Sequence, residues 1–217
     1  MRLRLDQEQE DLMNIQTGAI KRGRKFKEVL EGARQVFMAD GFERASVDAI
    51  ASVAGVSKAT LYSYFPDKRT LFTEVVRSEC HCQADRAMAT IDQTAPAKEI
   101  LCIAARHMIG FYLSDFGQRM FRICVSEADR FPELGQEFYN SGPLVANQAL
   151  KTYFDKAIRR GELRMDDREL AAFQFAELCK AYIFNRILFG VQTTFSEAEV
   201  DRIINGAVDV FLARYGT

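Results

Sequence analysis

Tryptophan is absent from the sequence, histidine occurs twice and proline four times, and no run reaches the roughly twenty apolar residues that cross a bilayer. The N-terminal stretch carries Asp6, Glu8, Glu10 and Asp11 and has no apolar core, so a secretory leader is not expected there. A cytoplasmic chain without membrane contact is expected. Neither histidine, His81 or His107, sits beside a nucleophile and an acid in an arrangement that suggests a triad. The phosphate-cradling strings GxxxxGKS, GxxxxGKT and GxGxxG are missing too, so neither an enzyme nor a cofactor is expected. Strand-like alternation is nearly missing, as are repeats and low-complexity linkers, which leaves an all-α fold. The five cysteines (Cys80, Cys82, Cys102, Cys124, Cys179) are an odd number scattered through helical stretches, a pattern of reduced thiols rather than a disulfide framework. Cys80-His81-Cys82 has the composition of a metal site, but helix neighbours point about 100 degrees apart and cannot converge on one ion. Redox sensing by Cys80, Cys82 or Cys124 stays open, although nothing in their sequence surroundings marks an activated thiol.

What is present is ordinary globular chemistry. Hydrophobic residues make up 48% and charged residues 27% of 217, enough for one large domain or a small and a medium one. The formal net charge of -1 hides an uneven spread. Residues 1–18 hold two basic and four acidic side chains, residues 19–69 ten basic and six acidic, and the rest is net acidic by three. A small anion-binding module attached to a near-neutral body fits that distribution.

Helical spacing runs through most of the chain. Phe26, Leu30, Ala33 and Phe37 recur on one face, widened by Val29 and Val36, and Asp40-Gly41 ends that first helix. Ser46 caps a short second helix with Val47, Ile50, Ala51 and Ala54 inward, and Gly55 supplies the positive φ that stops it. Ser57 caps a third, Lys58 to Phe65; Pro66 breaks it, and a fourth runs from about Lys68 toward Met88. Further helices are predicted over Ala97 to Leu113, Gly117 to Ala128, Pro132 to Arg160 with a kink at Gly142-Pro143, and Asp167 to Gly190. A Ser196/Glu199 capping box opens the last, which ends at Tyr215.

Two short helices joined by a glycine turn make a helix-turn-helix unit, whose second helix enters the DNA major groove. In GVSKATLYSYFPDKRTLF, Gly55 to Phe72, Val56 fills the turn while Leu61 and Phe65 anchor the second helix. Ser57, Lys58, Thr60, Tyr62, Ser63 and Tyr64 are left to face outward. Lys58 at the helix start can reach a base edge or a phosphate, and the hydroxyls and helix N-terminus donate to phosphates. Lys68, with Arg69, adds point charge toward the DNA backbone. Lys21, Arg22, Arg24, Lys25 and Lys27 form a basic cluster at the entry to the first helix, either a groove-binding arm or a solvated helix start. The rival reading is a helical interaction or adaptor protein that uses the short helices only for packing.

The string FMADGFERASVDAIASVAGVSKATLYSYFPDKRTLF, within residues 24–72, resembles the N-terminal domain of the TetR family of bacterial transcriptional regulators. The resemblance implies a three-helix DNA-binding domain, a larger helical domain for ligand binding and dimerisation, and a repressor released from its double-stranded DNA operator by a small molecule. The chain is expected to divide into an N-terminal extension, 1–18, a DNA-binding domain, 19–66, and a ligand-binding and dimerisation domain, 67–217. The DNA contacts implied by the family fall on Ser46, Ser57, Lys58, Ala59, Thr60, Tyr62, Tyr64 and Lys68, with Lys58 and Ala59 nearest the bases. The family often has His where this chain has Tyr64, which keeps a phosphate donor and loses a chargeable nitrogen. RMFRICVSEADRFPELGQEFYNSGP and RRGELRMDDRELAAFQFAELCKAYIFNRILFG are similar to the C-terminal domain of AcrR- and AefR-like members, several of which control efflux pumps.

One recognition helix contacts few base pairs, so useful specificity calls for two copies on a two-fold site, and a homodimer is expected. Phe173, Leu178, Ala181, Phe184, Ile203, Ala207, Val210 and Phe211, on the last two long helices, are the candidate interface. The resemblance puts the family's four-helix interface on the same pair. An apolar cavity between helices of the second domain is the expected effector site. Helical spacing selects His107, Met108, Phe111, Tyr112, Phe121, Cys124, Phe173, Glu177 and Asn185 as its candidate wall, although by type each fits plain core better than ligand wall. Seventeen phenylalanines and no tryptophan favour a small hydrophobic effector.

Overall fold

The computed structural model of the protein describes residues 23–90 and 94–217, which form eleven helices and no strand. Lys21, Arg22 and the extension 1–18 lie outside the described residues. Two compact units result, the first ending at Phe72 and the second Thr73–Thr217.

The first unit holds α1 (Arg24–Arg44), α2 (Val47–Ala54), α3 (Lys58–Tyr64) and the opening turn of α4 (Lys68–Thr90). Phe26, Val29, Ala33, Val36 and Phe37 bury one face of α1 at steps of three and four, the spacing that brings side chains onto one stripe. Gly41, with φ 78 and ψ -177, kinks α1 rather than ending it, and a last turn continues to Arg44. Ser46 Oγ accepts from Ala49 N at 3.0 Å, and Gly55 closes α2 at φ 64, ψ 33. Ser57 Oγ accepts from Thr60 N at 3.1 Å to start α3. The crossing of α1 and α2 is tight: a Cβ on Gly32 would lie 2.7 Å from Ala54 Cβ and 2.8 Å from its backbone nitrogen. Glycine is the side chain that fits there. Phe72 packs edge-on to Phe37 and Phe42 at 5.1 and 5.3 Å between ring centres, locking the opening of α4 onto α1.

The second unit holds the rest of α4, then α5 (Ala97–Leu113), α6 (Asp115–Ser126), α7 (Pro132–Ser141), α8 (Pro143–Arg159), α9 (Arg168–Lys180), α10 (Phe184–Leu188) and α11 (Glu197–Tyr215). Its core is built by α5, α8, α9 and α11 around Phe211, whose ring centre lies 5.5 Å from Phe154, 5.1 Å from Phe175 and 4.9 Å from Tyr215. Glu162 Oε2 accepts from Ala97 N at 2.8 Å, capping α5 from the loop after α8, and Arg160 grips the same carboxylate. Those contacts, with the Arg160 hydrogen bond foremost, hold the Glu162 carboxyl below its ordinary pKa. The capping box at Ser196 and Glu199 forms as expected from sequence.

Two predicted long helices are each divided. At Gly142 (φ -106, ψ -86) the chain breaks fully between α7 and α8, where a kink was expected. The stretch from Asp167 to Gly190 is interrupted at residues 181–183, although no glycine or proline stands there. Tyr182 takes φ 74, unusual for a side chain larger than glycine's, and its ring lies under two guanidinium groups, Arg186 at 4.1 Å and Arg202 at 4.5 Å. Those ring contacts, one from the following helix and one from α11, fasten the turn.

Candidate functional site

Ser57, Lys58, Ala59 and Tyr62 lie exposed on α3 and its cap, Tyr62 with 50% of its surface open, while Ser46 stands exposed at the head of α2. Thr60 and Tyr64 are half-buried. The Lys58 ammonium pairs with the Asp48 carboxylate on α2, and both groups are exposed. Such a pair is worth at most about 1 kcal/mol, so it yields readily to a phosphate or a base edge. Ser57 Oγ and Thr60 Oγ1 are 2.9 Å apart, and Ser63 Oγ donates to Thr60 O at 2.6 Å. The Tyr64 ring meets Phe26 edge-on at 5.8 Å, so besides any outward role it fastens α3 to α1.

Lys68 departs from its expected role. Its Nζ donates to Glu43 O at 3.0 Å and Ala45 O at 3.1 Å and sits 4.7 Å over the Phe42 ring. The carbonyl end of a helix is its negative end, and Lys68 closes that end of α1 instead of presenting a bare charge to DNA. Beside it, Asp67 Oδ1 accepts from Thr70 N at 2.8 Å and caps α4. The Thr70 amide foremost, then its hydroxyl and Arg69, keep the Asp67 carboxyl below its ordinary pKa against the opposing effect of burial. Arg24, in the basic cluster, pairs with Glu28 at 2.7 Å.

The second unit encloses a cavity of about 840 Å³. Its wall includes His107, Met108, Phe111, Tyr112, Phe121, Cys124, Phe173 and Glu177, and not Asn185, which is exposed on α10. Five aromatic side chains of the wall form a closed circuit: Phe111 to Tyr112 at 6.4 Å, Tyr112 to Phe184 at 6.2 Å, Phe184 to Phe121 at 5.1 Å, Phe121 to Phe138 at 6.3 Å and Phe138 back to Phe111 at 6.4 Å. Four helices, α5, α6, α7 and α10, contribute to it. Phe138 and Asn147 were missed by sequence reasoning. Asn147 had a visible signal, a polar residue in the buried stripe with Leu150, Phe154 and Ala157 on α8.

Polar groups of the wall are mostly engaged or neutral. His107 Nε2 and Thr90 Oγ1 are 2.7 Å apart, and burial lowers the His107 pKa, favouring the uncharged ring. Lys180 pairs with Glu177 at 2.5 Å, and Arg122 donates to Ile187 O at 2.8 Å. Burial pushes the Cys80 thiol up to about 11 and the Cys124 thiol up to about 12, which makes both poor thiolates at neutral pH and argues against redox sensing by either. Cys82, two residues along α4 from Cys80, is exposed, so the two thiols face different surroundings. Among the described residues no group of three His, Cys, Asp or Glu is placed to hold a metal, and no helix is long and apolar enough to cross a membrane.

The candidate interface residues scatter. Phe173 and Phe184 line the cavity; Ile203, Ala207 and Phe211 are buried in the unit's own core; Leu178 is half-buried against it. An apolar stripe in sequence cannot distinguish a helix's own core from a partner's. Ala181 is exposed in the turn at 181–183, and Val210 on α11, with Leu170 on α9, remains as exposed apolar surface at 57% and 51%.

Residues 29–75 match the bacterial regulatory proteins of the tetR family, and residues 99–217 match the AefR-like transcriptional repressor C-terminal domain. The chain belongs to the TetR family. It is therefore a transcriptional regulator built to bind DNA, not an enzyme. A TetR-family regulator from Mesorhizobium loti MAFF303099 is 30% identical and superposes with a TM-score of 0.84, covering 91% of this chain and 100% of that one. The flavonoid-responsive regulator FrrA is 34% identical with a TM-score of 0.76, over 89% of this chain and 98% of its own. YhgD, an HTH-type transcriptional regulator of Bacillus subtilis (strain 168), is 24% identical over 163 residues, 73% of this chain and 82% of YhgD.

Proposed function

We propose that this TetR-family protein is a cytoplasmic homodimeric repressor, released from its operator when a small, largely apolar aromatic compound fills the cavity of the second unit. The observation that carries the reading is the closed circuit of five aromatic rings in the wall of a cavity of about 840 Å³. That volume suits a multi-ring ligand, and aromatic walls favour flat π-systems through edge-to-face contact. Similarity to a flavonoid-responsive regulator supports the same class. DNA reading falls to α3 with Lys58 and Ala59 toward the bases, and Ser46, Ser57, Thr60, Tyr62 and Tyr64 toward phosphates. Pairing of protomers falls to the exposed faces of α9 and α11, where Leu170 and Val210 stand out.

The test is a footprint and gel shift on the DNA flanking the protein's own gene, with and without a panel of flavonoids. Protection of a two-fold site, lost on adding one of them, is expected. Retention at every ligand concentration would make the protein a constitutive repressor. The identity of the flanking genes decides whether efflux, the role implied by its AcrR-like and AefR-like resemblance, is what it controls.

A further inference from the structure

We propose that Asn147 is the specificity-determining residue of the cavity, and that it selects a neutral aromatic compound bearing a phenolic hydroxyl, which donates to Asn147 Oδ1. The proposal rests on the aromatic-effector reading given above and deepens it.

Asn147 is 3% exposed and lines the cavity. Its Nδ2 donates to Glu169 O at 3.2 Å. A backbone carbonyl can only accept, so this bond fixes which end of the carboxamide points where. That bond uses one N–H of Nδ2; the second N–H and Oδ1 are left over, and Oδ1 accepts no hydrogen bond from the described residues. Of the other buried polar side chains, Ser141 donates to Glu137 O and Glu74 pairs with Arg77, so both have their partner inside the protein. Asn147 stands in a stripe where Leu150, Phe154 and Ala157 are buried. No buried side-chain nitrogen or oxygen among the described residues lacks a partner, so Oδ1 is open to the cavity, and a ligand that covers it must donate to it or leave it unpaired.

The rest of the wall says what the donor can be. Gln118 repeats the arrangement, its Nε2 donating to Leu113 O at 3.0 Å and its oxygen left over. Tyr112 holds its ring in the aromatic circuit, while its hydroxyl makes no hydrogen bond to the described residues. Burial raises its pKa, so it stays a neutral phenol. The cations of the wall each have a partner inside the protein: Lys180 the largely exposed carboxylate of Glu177, Arg122 the carbonyls of Ile187 and Leu188, and Lys156 a further contact. A carboxylate ligand would set acceptor against acceptor at Asn147 Oδ1 and Gln118 Oε1 and could be met only by the spare N–H of each amide. A phenol offers each oxygen a proton and carries no charge to desolvate.

The experiment compares two probes of one skeleton by calorimetry on the full-length protein: apigenin, which carries phenolic hydroxyls, and unsubstituted flavone, which carries none. Leaving a buried acceptor unpaired is worth about tenfold or more in affinity, so the wild-type protein should prefer apigenin by at least that factor. Asn147→Leu should bring the two affinities together by weakening apigenin and sparing flavone. Asn147→Ala, which removes the acceptor without adding bulk, serves if the leucine variant does not fold, and the same convergence is expected. Equal binding of both probes to wild type, or a preference that both variants leave intact, overturns the role of Asn147 and leaves the aromatic effector standing. Binding of neither probe removes the aromatic effector as well.

Discussion

Lys58 and Lys68 bracket the same short helix, and their ammonium groups meet different neighbours. Lys58 faces a solvent-exposed carboxylate on α2, whereas Lys68 is half-buried with two backbone carbonyls and a phenylalanine ring. Exposed pairs contribute little, and hydrogen bonds from a charged donor contribute about 1.5 to 3 kcal/mol. Lys58→Ala is therefore expected to melt within a degree or so of wild type while weakening operator binding and reducing its salt slope by about 1. Lys68→Ala is expected to lower the melting temperature of the protein by several degrees. Thermal melts alongside gel shifts at two salt concentrations separate the roles; a Lys68→Ala protein as stable as wild type would return that lysine to the phosphates. Net charge gives no guidance at this scale, because the same side chain can complete a helix end or meet a ligand.

Helix boundaries show what a sequence can and cannot announce. Ser46, Ser57, Asp67, Asp167 and Ser196 each cap a helix through a side-chain oxygen, and the signal is local, one residue type before an apolar run. Gly55 marks its stop equally locally. The break at 181–183 has no such mark: Tyr182 is held at positive φ partly by Arg202, twenty residues along, and no window of sequence contains that contact as a pattern. Gly32 was likewise illegible, since the need for glycine comes from Ala54 on the other helix. Asp67 permits a prediction at this scale. Its folded pKa is depressed, so its cap contributes fully above the unfolded carboxylate value near ~4 and is lost as pH falls through the lower folded value. Asp67→Asn should melt below wild type at neutral pH, with the gap closing in acid. A gap that stays constant down to strongly acidic pH would remove the charge from the argument.

For the whole molecule, the candidate cavity wall was largely readable because ligand walls and cores obey the same helical periodicity, and eight of the nine proposed residues line it. The candidate interface was less so, because six of its eight residues, chosen from the same periodicity, line the cavity or pack into or against the unit's own core. The proposed release of the protein from its operator by a ligand carries one thermodynamic requirement. A ligand that lowers operator affinity by some factor must itself bind operator-bound protein more weakly by that same factor. Calorimetric titration of apigenin into free protein and into its operator complex is expected to return matching factors, and ligand affinity indifferent to operator would end the release mechanism. With no tryptophan, the chain's ultraviolet absorption stops at the edge of its tyrosines. A conjugated effector absorbs beyond that edge, against an optically silent protein. Seated among aromatic side chains in a chiral arrangement, a flat and achiral compound acquires circular dichroism that it lacks in water. Occupancy can thus be counted by light the protein does not touch, with no label attached to either partner.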